Sequence, residues 1–199
     1  CHNNWSPWFQ VCLRTIREGQ IGSFMSMVCN YSWNLANGHS HTLSLFRQFA
    51  DSPAKWVFGS MNSDEAAKTD KDLSGNGMIY YENGIQGFLN SGGWLNIDFI
   101  GKDGWISARN EHADFEFWSR HPSTREPIRR QFPNPKRPKS SQQAAIEGLV
   151  ENLREGTTPL CPGEYGREAL EIAIGLRESH RRGGQKIDLP LADRSLSLG

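Results

Sequence analysis

Apolar and polar residues alternate along this chain in two periods, and the periods mark its elements. A first helix is predicted after Ser6, a capping residue, with Pro7 suited to its first turn and Gly19 to its end; Trp8, Val11, Cys12 and Ile16 fall on one face. Residues 21–33 read as a strand, with Met25, Met27, Cys29, Tyr31 and Trp33 alternating. Leu45, Phe46 and Phe49 give residues 41–49 a helical spacing, and 55–61 form a short strand. Two hairpins follow. One joins 78–81 to 85–90 through Glu82-Asn83-Gly84, and the other joins 94–100 to 105–109 through Gly101-Lys102-Asp103-Gly104. Residues 113–118 can add a strand.

The second half of the chain changes character. Residues 142–155 form an amphipathic helix ended by Gly156, with an apolar stripe of Ala145, Ile146, Leu149, Val150 and Leu153. Residues 166–182 form another, with Ala169, Leu170, Ile172, Ala173 and Leu176 inward, and 187–191 close the chain with a short strand. Strands and helices are segregated, and hairpins impose antiparallel pairing. The predicted class is α+β: one open-faced, mainly antiparallel sheet with helices covering one face.

Composition narrows the function. Lys plus Arg and Asp plus Glu both number 22 in 199 residues, so no net charge draws the chain to nucleic acid or to a membrane surface. Residues 120–139 are the local exception, with five prolines and seven Lys or Arg against one Glu. That stretch reads as a solvated surface loop or interface arm, with a basic targeting segment as the alternative. No apolar run approaches bilayer length and no signal-peptide pattern opens the chain, which starts at Cys1. Cys1, Cys12, Cys29 and Cys161 show no metal-ligand spacing. Thiols in a reducing cytoplasmic compartment are expected, with a single disulfide left open and no metal site.

The chemistry is concentrated in one place. Asn34, Asn37, His39, Ser40, His41 and Ser44 lie between a strand end and a helix start, where functional groups often sit. Histidine titrates near neutral pH and can move protons there; a helix-capping histidine beside a solvated one explains the same residues without chemistry. Gly75-Asn76-Gly77 lacks the third glycine of a dinucleotide fingerprint, and no phosphate loop or G-x-S-x-G elbow is present.

The order of segments resembles the C-terminal domain of the glucose–fructose oxidoreductase / inositol dehydrogenase / rhizopine catabolism (Gfo/Idh/MocA) family. Asn3 to Gln10 followed by Ile16-Arg17-Glu18-Gly19-Gln20-Ile21-Gly22 resembles its entry helix and turn. Residues 38–49 resemble its site helix, Tyr81-Glu82-Asn83-Gly84 and residues 99–106 its hairpins, and residues 168–190 its closing helix and strand. The resemblance implies that residues 1–199 are a single substrate-binding and oligomerisation domain. The NAD- or NADP-binding domain would belong to a missing N-terminal half, so this piece alone should bind neither nucleotide.

The implied function is substrate-side binding in an NAD(P)-dependent oxidoreductase of a sugar, polyol or related CH–OH compound. Assembly would be as a homo-oligomer through the open sheet face. His41 falls at the family's proton-transfer histidine and is the expected base. The family's aspartate position is Asn37, which can orient a hydroxyl but cannot accept a proton, and a later aspartate position is Ser44. Asn4, Trp5, Trp33 and His39 are expected on the substrate side; the two tryptophans suit a sugar face or a core equally. The departures at 37 and 44 keep open a non-catalytic binding or assembly module.

Overall fold

A computed structural model of the chain describes residues 1–136 and 139–198. Residues 137 and 138 of the basic stretch therefore lie outside the described residues.

Among the described residues the sheet contains nine strands, in the order β8-β7-β6-β5-β1-β4-β3-β2-β9. They are β1 (Phe24–Asn30), β2 (Ala54–Met61), β3 (Gly75–Tyr81), β4 (Gln86–Asn90), β5 (Asn96–Gly101), β6 (Gly104–Arg109), β7 (Asp114–Arg120), β8 (Pro127–Arg130) and β9 (Ile187–Asp188). Both expected hairpins are present, as β3–β4 and β5–β6. Every pairing is antiparallel except β1 with β4, which is parallel. The mainly antiparallel α+β class read from the sequence is the one observed.

Register assigns the two faces. Met27 and Cys29 of β1 pair with Phe99 and Ile97 of β5, which pair in turn with Ile106 and Ala108 of β6, and all are buried. This face carries the helices α1 (Pro7–Arg17), α2 (His39–Ala50) and α5 (Gly163–Arg181), with the short α3 (Asp64–Ala67) against α5. Phe9 of α1 and Phe49 of α2 meet Phe99 with ring centroids 6.1 and 4.2 Å away. At Gly59 of β2 a Cβ would lie 2.2 Å from the Leu176 carbonyl oxygen, so α5 lies directly on the strand backbone. The opposite face carries Trp56, Phe58, Met78, Tyr80, Phe88, Val28, Trp105 and Trp118 beside an ion-paired group of Asp98, Arg109 and Glu116.

Three details depart from the sequence reading. Met25 is exposed rather than inward, because the β1–β5 register slips between Phe24 and Ser26 and breaks the alternation. Leu170 is also exposed: the inward stripe of α5 runs through Ala169, Ile172, Ala173 and Leu176, and position 170 lies about 100° around from 169. The third concerns α4 (Ser141–Glu155), which packs on the short 3-10 helix His2–Trp5 and not on the sheet. Its apolar stripe therefore faces outward, with Ile146 65% and Leu153 84% exposed and only Ala144 buried.

The basic stretch is absorbed locally. Arg120 and Arg125 pair with Asp103, Arg129 with Glu116, and Lys139 with Glu147, while 127–130 form the edge strand β8. The four cysteines are free thiols. Among the described residues no helix is long and apolar enough to cross a membrane, and no group of three metal-ligating side chains converges.

Candidate functional site

Strand β1 ends at Asn30 and helix α2 begins at His39, so eight residues must turn the chain from the sheet back onto its covered face. This connection, with the first turn of α2, walls a cleft of about 440 Å³ lined by Ser32, Trp33, Asn34, Asn37, Gly38 and His41. Asn37, His41 and Trp33, three of the residues singled out from the sequence, are brought together there.

His41 is half-buried, and its Nδ1 is enclosed with no hydrogen-bond partner. Its ring meets that of His2 edge-on, with centroids 4.9 Å apart. Burial lowers its pKa from the ordinary histidine value, and the neighbouring His2 lowers it further. A histidine held neutral at pH 7 can accept a proton. Asn37 is fixed at both ends of its backbone: its N–H donates to Asp72 Oδ2 at 2.9 Å, and its carbonyl accepts from Ser40 Oγ at 2.7 Å.

The structure puts the other named residues elsewhere. His39 is fully buried behind the cleft, its Nε2 3.2 Å from the Tyr31 carbonyl oxygen, and burial lowers its pKa to about 4. Asn4 is also fully buried. Its Nδ2 donates to the Ser44 carbonyl at 3.0 Å and its Oδ1 accepts from Ser44 Oγ at 2.9 Å, so both tie the N-terminal segment to α2. The ring of Trp5 lies against Gly148 of α4, where a Cβ would approach it to 1.9 Å, and lines a different groove with Gln10 and Arg14.

Two residues of the site were not legible in advance. His2 reaches His41 only because the N-terminal 3-10 helix lies against α2. Asp72 arrives from the loop before β3, and nothing in its local sequence marks it as facing residues 36 and 37.

The turn from β1 into α2 has a single glycine, Gly38, at the helix N-cap.

The fold is shared with solved oxidoreductases of the type that the five motifs resemble. Among them is the aldose-aldose oxidoreductase from Caulobacter crescentus complexed with glycerol, at TM-score 0.73 and 14% identity, with 94% of this chain and 62% of that one covered. The WlbA dehydrogenase from Bordetella pertussis, in complex with NADH and UDP-GlcNAcA, matches at TM-score 0.70 and 16% identity over 96% of this chain and 62% of its own. An inositol dehydrogenase homolog from Azotobacter vinelandii, complexed with NADH and myo-inositol, matches at TM-score 0.66 and 14% identity, covering 94% and 62%. This chain thus spans less than two thirds of the length of those proteins. No family model matches the sequence, and no curated protein matches it.

Proposed function

We propose that this chain is the substrate-side domain of an NAD(P)-dependent oxidoreductase of the Gfo/Idh/MocA family, acting on a sugar, polyol or related CH–OH substrate. The observation that carries the reading is the cleft itself. It sets a neutral histidine and a backbone-fixed asparagine side by side, in a fold shared with dehydrogenases solved with NADH.

His41 is the base that takes the proton of the reacting hydroxyl. Asn37 orients that hydroxyl by donating and accepting hydrogen bonds, and Trp33 offers an apolar wall for a sugar face. The nucleotide, when bound, takes up or supplies the hydride. Its phosphates need contacts that these residues do not offer, so they belong to a further domain. The outward stripe of α4 supports that reading, since Ile146, Leu149, Val150 and Leu153 form an apolar surface for a neighbour to cover. The open sheet face, with Phe58 and Trp105 more than a third exposed, is the surface for a second copy.

The second reading, a non-catalytic assembly module, is favoured by one observation. Ser44, at a family aspartate position, is fully buried and bonded to Asn4, and Asn37 brings no charge to His41.

Steady-state kinetics of the complete gene product on a panel of sugars and polyols, with NAD and NADP, separates the two. His41→Ala should lower kcat by about 10²- to 10⁴-fold, the usual contribution of a general base. Asn37→Ala should cost less. Asn37→Asp should move the acidic limb of the pH–rate profile to higher pH, because a carboxylate favours the imidazolium. Unchanged kcat in His41→Ala removes the assignment. A wild type inactive on the whole panel puts the assembly module ahead.

A further inference from the structure

The turn that carries Asn37 is held by a residue far away in sequence. Residues 72–74 run beside residues 34–37 as a short cross-loop ladder. Asn34 and Ser74 form an antiparallel bridge, and the Leu35 N–H donates to the Leu73 carbonyl at 2.8 Å. At the next step a side chain replaces the backbone as acceptor. Asp72 Oδ1 accepts the Ala36 N–H at 2.8 Å, and Oδ2 accepts the Asn37 N–H at 2.9 Å.

One carboxylate thus takes two consecutive N–H groups, one per oxygen, so both must point the same way. Both oxygens of Asp72 are thus engaged by this turn. The partial charge of each donor is met by a full negative charge, which makes these the stronger kind of hydrogen bond. With Ser40 holding the Asn37 carbonyl, the asparagine keeps little freedom beyond its own side-chain torsions.

We infer that Asp72 is the positioning residue of the cleft: it does not touch the reacting atoms but fixes the Ala36–Asn37 backbone, and through it the place of the Asn37 amide beside His41. The inference rests on the oxidoreductase reading above and deepens it. It also gives the carboxylate of this site a different task. The family's aspartate position holds Asn37, and the fold brings a carboxylate to the same turn from the opposite loop, to orient and not to accept a proton.

The test is made on the complete gene product. Displacement of a substrate-positioning group by about 1 Å can cost on the order of 100-fold in rate. Asp72→Ala should therefore lower kcat by about 10- to 100-fold while KM changes less. Asp72→Asn, which keeps one carbonyl oxygen as acceptor, should recover part of that loss. The decisive readout is coupling: adding Asn37→Ala to Asp72→Ala should cost almost nothing further, because the asparagine is already misplaced. Additive losses, or a wild-type kcat in Asp72→Ala, overturn the inference while leaving the function standing. If the wild type turns over no panel member, the function fails and the pin is judged separately by amide hydrogen exchange. The Ala36 and Asn37 N–H groups should then exchange at least about tenfold faster in Asp72→Ala, with β1 and α2 unchanged. Equal rates overturn it.

Discussion

Lowering the pH should destabilise this fold well above the range where most carboxylates titrate, and two histidines set the size of the effect. His39 is fully buried against Trp33, and His112 has its ring edge-on to Phe9 at 4.8 Å. Each has a ring nitrogen enclosed without a partner: Nδ1 of His39 and Nε2 of His112. Burial lowers both from 6.5 to about 4. The folded protein therefore binds these protons less readily than the unfolded chain, so their contribution is complete above about pH 6.5 and is lost as the pH falls toward 4. One pKa unit is worth ~1.4 kcal/mol, so each histidine withholds ~2 kcal/mol at pH 5. His112 is partly accessible, so its share is the smaller. A combined loss of ~3–4 kcal/mol is a large part of the ~5–15 kcal/mol that holds a typical domain together. Urea denaturation followed by circular dichroism at pH 7.5, 6, 5 and 4.5 measures it. His39→Gln and His112→Gln should each be less stable at pH 7.5 but flatter in their pH dependence. A wild-type slope between pH 7 and 5 in both variants would refute the reasoning.

Gly59→Ala should destabilise by ~1–3 kcal/mol, because the new methyl meets the Leu176 backbone and no rotamer relieves it; Gly163→Ala, with open space around it, should be near neutral in the same melt. Calorimetric titration of the 199-residue chain with NADH should show no binding, and a low-micromolar Kd would contradict the substrate-side assignment. Light scattering of the chain at roughly tens of micromolar, where stable interfaces persist, should show an oligomer that Phe58→Asp with Trp105→Asp dissociates. A monomer from the unmodified chain would remove the open-face proposal.

Much of the fold is written in short-range patterns. Asn83-Gly84 and the Gly101–Gly104 segment fix two hairpins within about ten residues each, and the alternation along 97–100 matches the burial found, whereas in β6 Ile106, Ser107 and Ala108 are all buried. What could not be read is long-range. The parallel pairing of β1 with β4 joins residues about sixty apart, and no local period encodes it. The stripe of α4 is amphipathic whether or not anything lies against it, so its period gives the helix but not its exposure. At the site, Asn37, His41 and Trp33 are close in sequence and line one cleft. Asn4, Trp5 and His39 lie outside that cleft's lining, because their surroundings come from α2, α4 and the β1 end. Asp72 carries no sign of its role until the loops at 34–37 and 72–74 lie side by side.

The central place of β1 makes this sheet unusual to assemble. β4 and β5 follow one another in sequence but are not neighbours, since β1 lies between them. Before β1 arrives, the chain can form two separate meanders from nearby residues, β2-β3-β4 and β5-β6-β7-β8, each closing short loops at low entropic cost. Each exposes an unpaired edge, β4 in one and β5 in the other, where β1 will lie. The first of these strands in sequence is thus the last to find its partners, and it acts as a keystone between two halves that cannot otherwise meet. A slot open for that long accepts any strand of matching register, including β1 of another copy. Exchange of residues 24–30 between chains is the misassembly this topology invites.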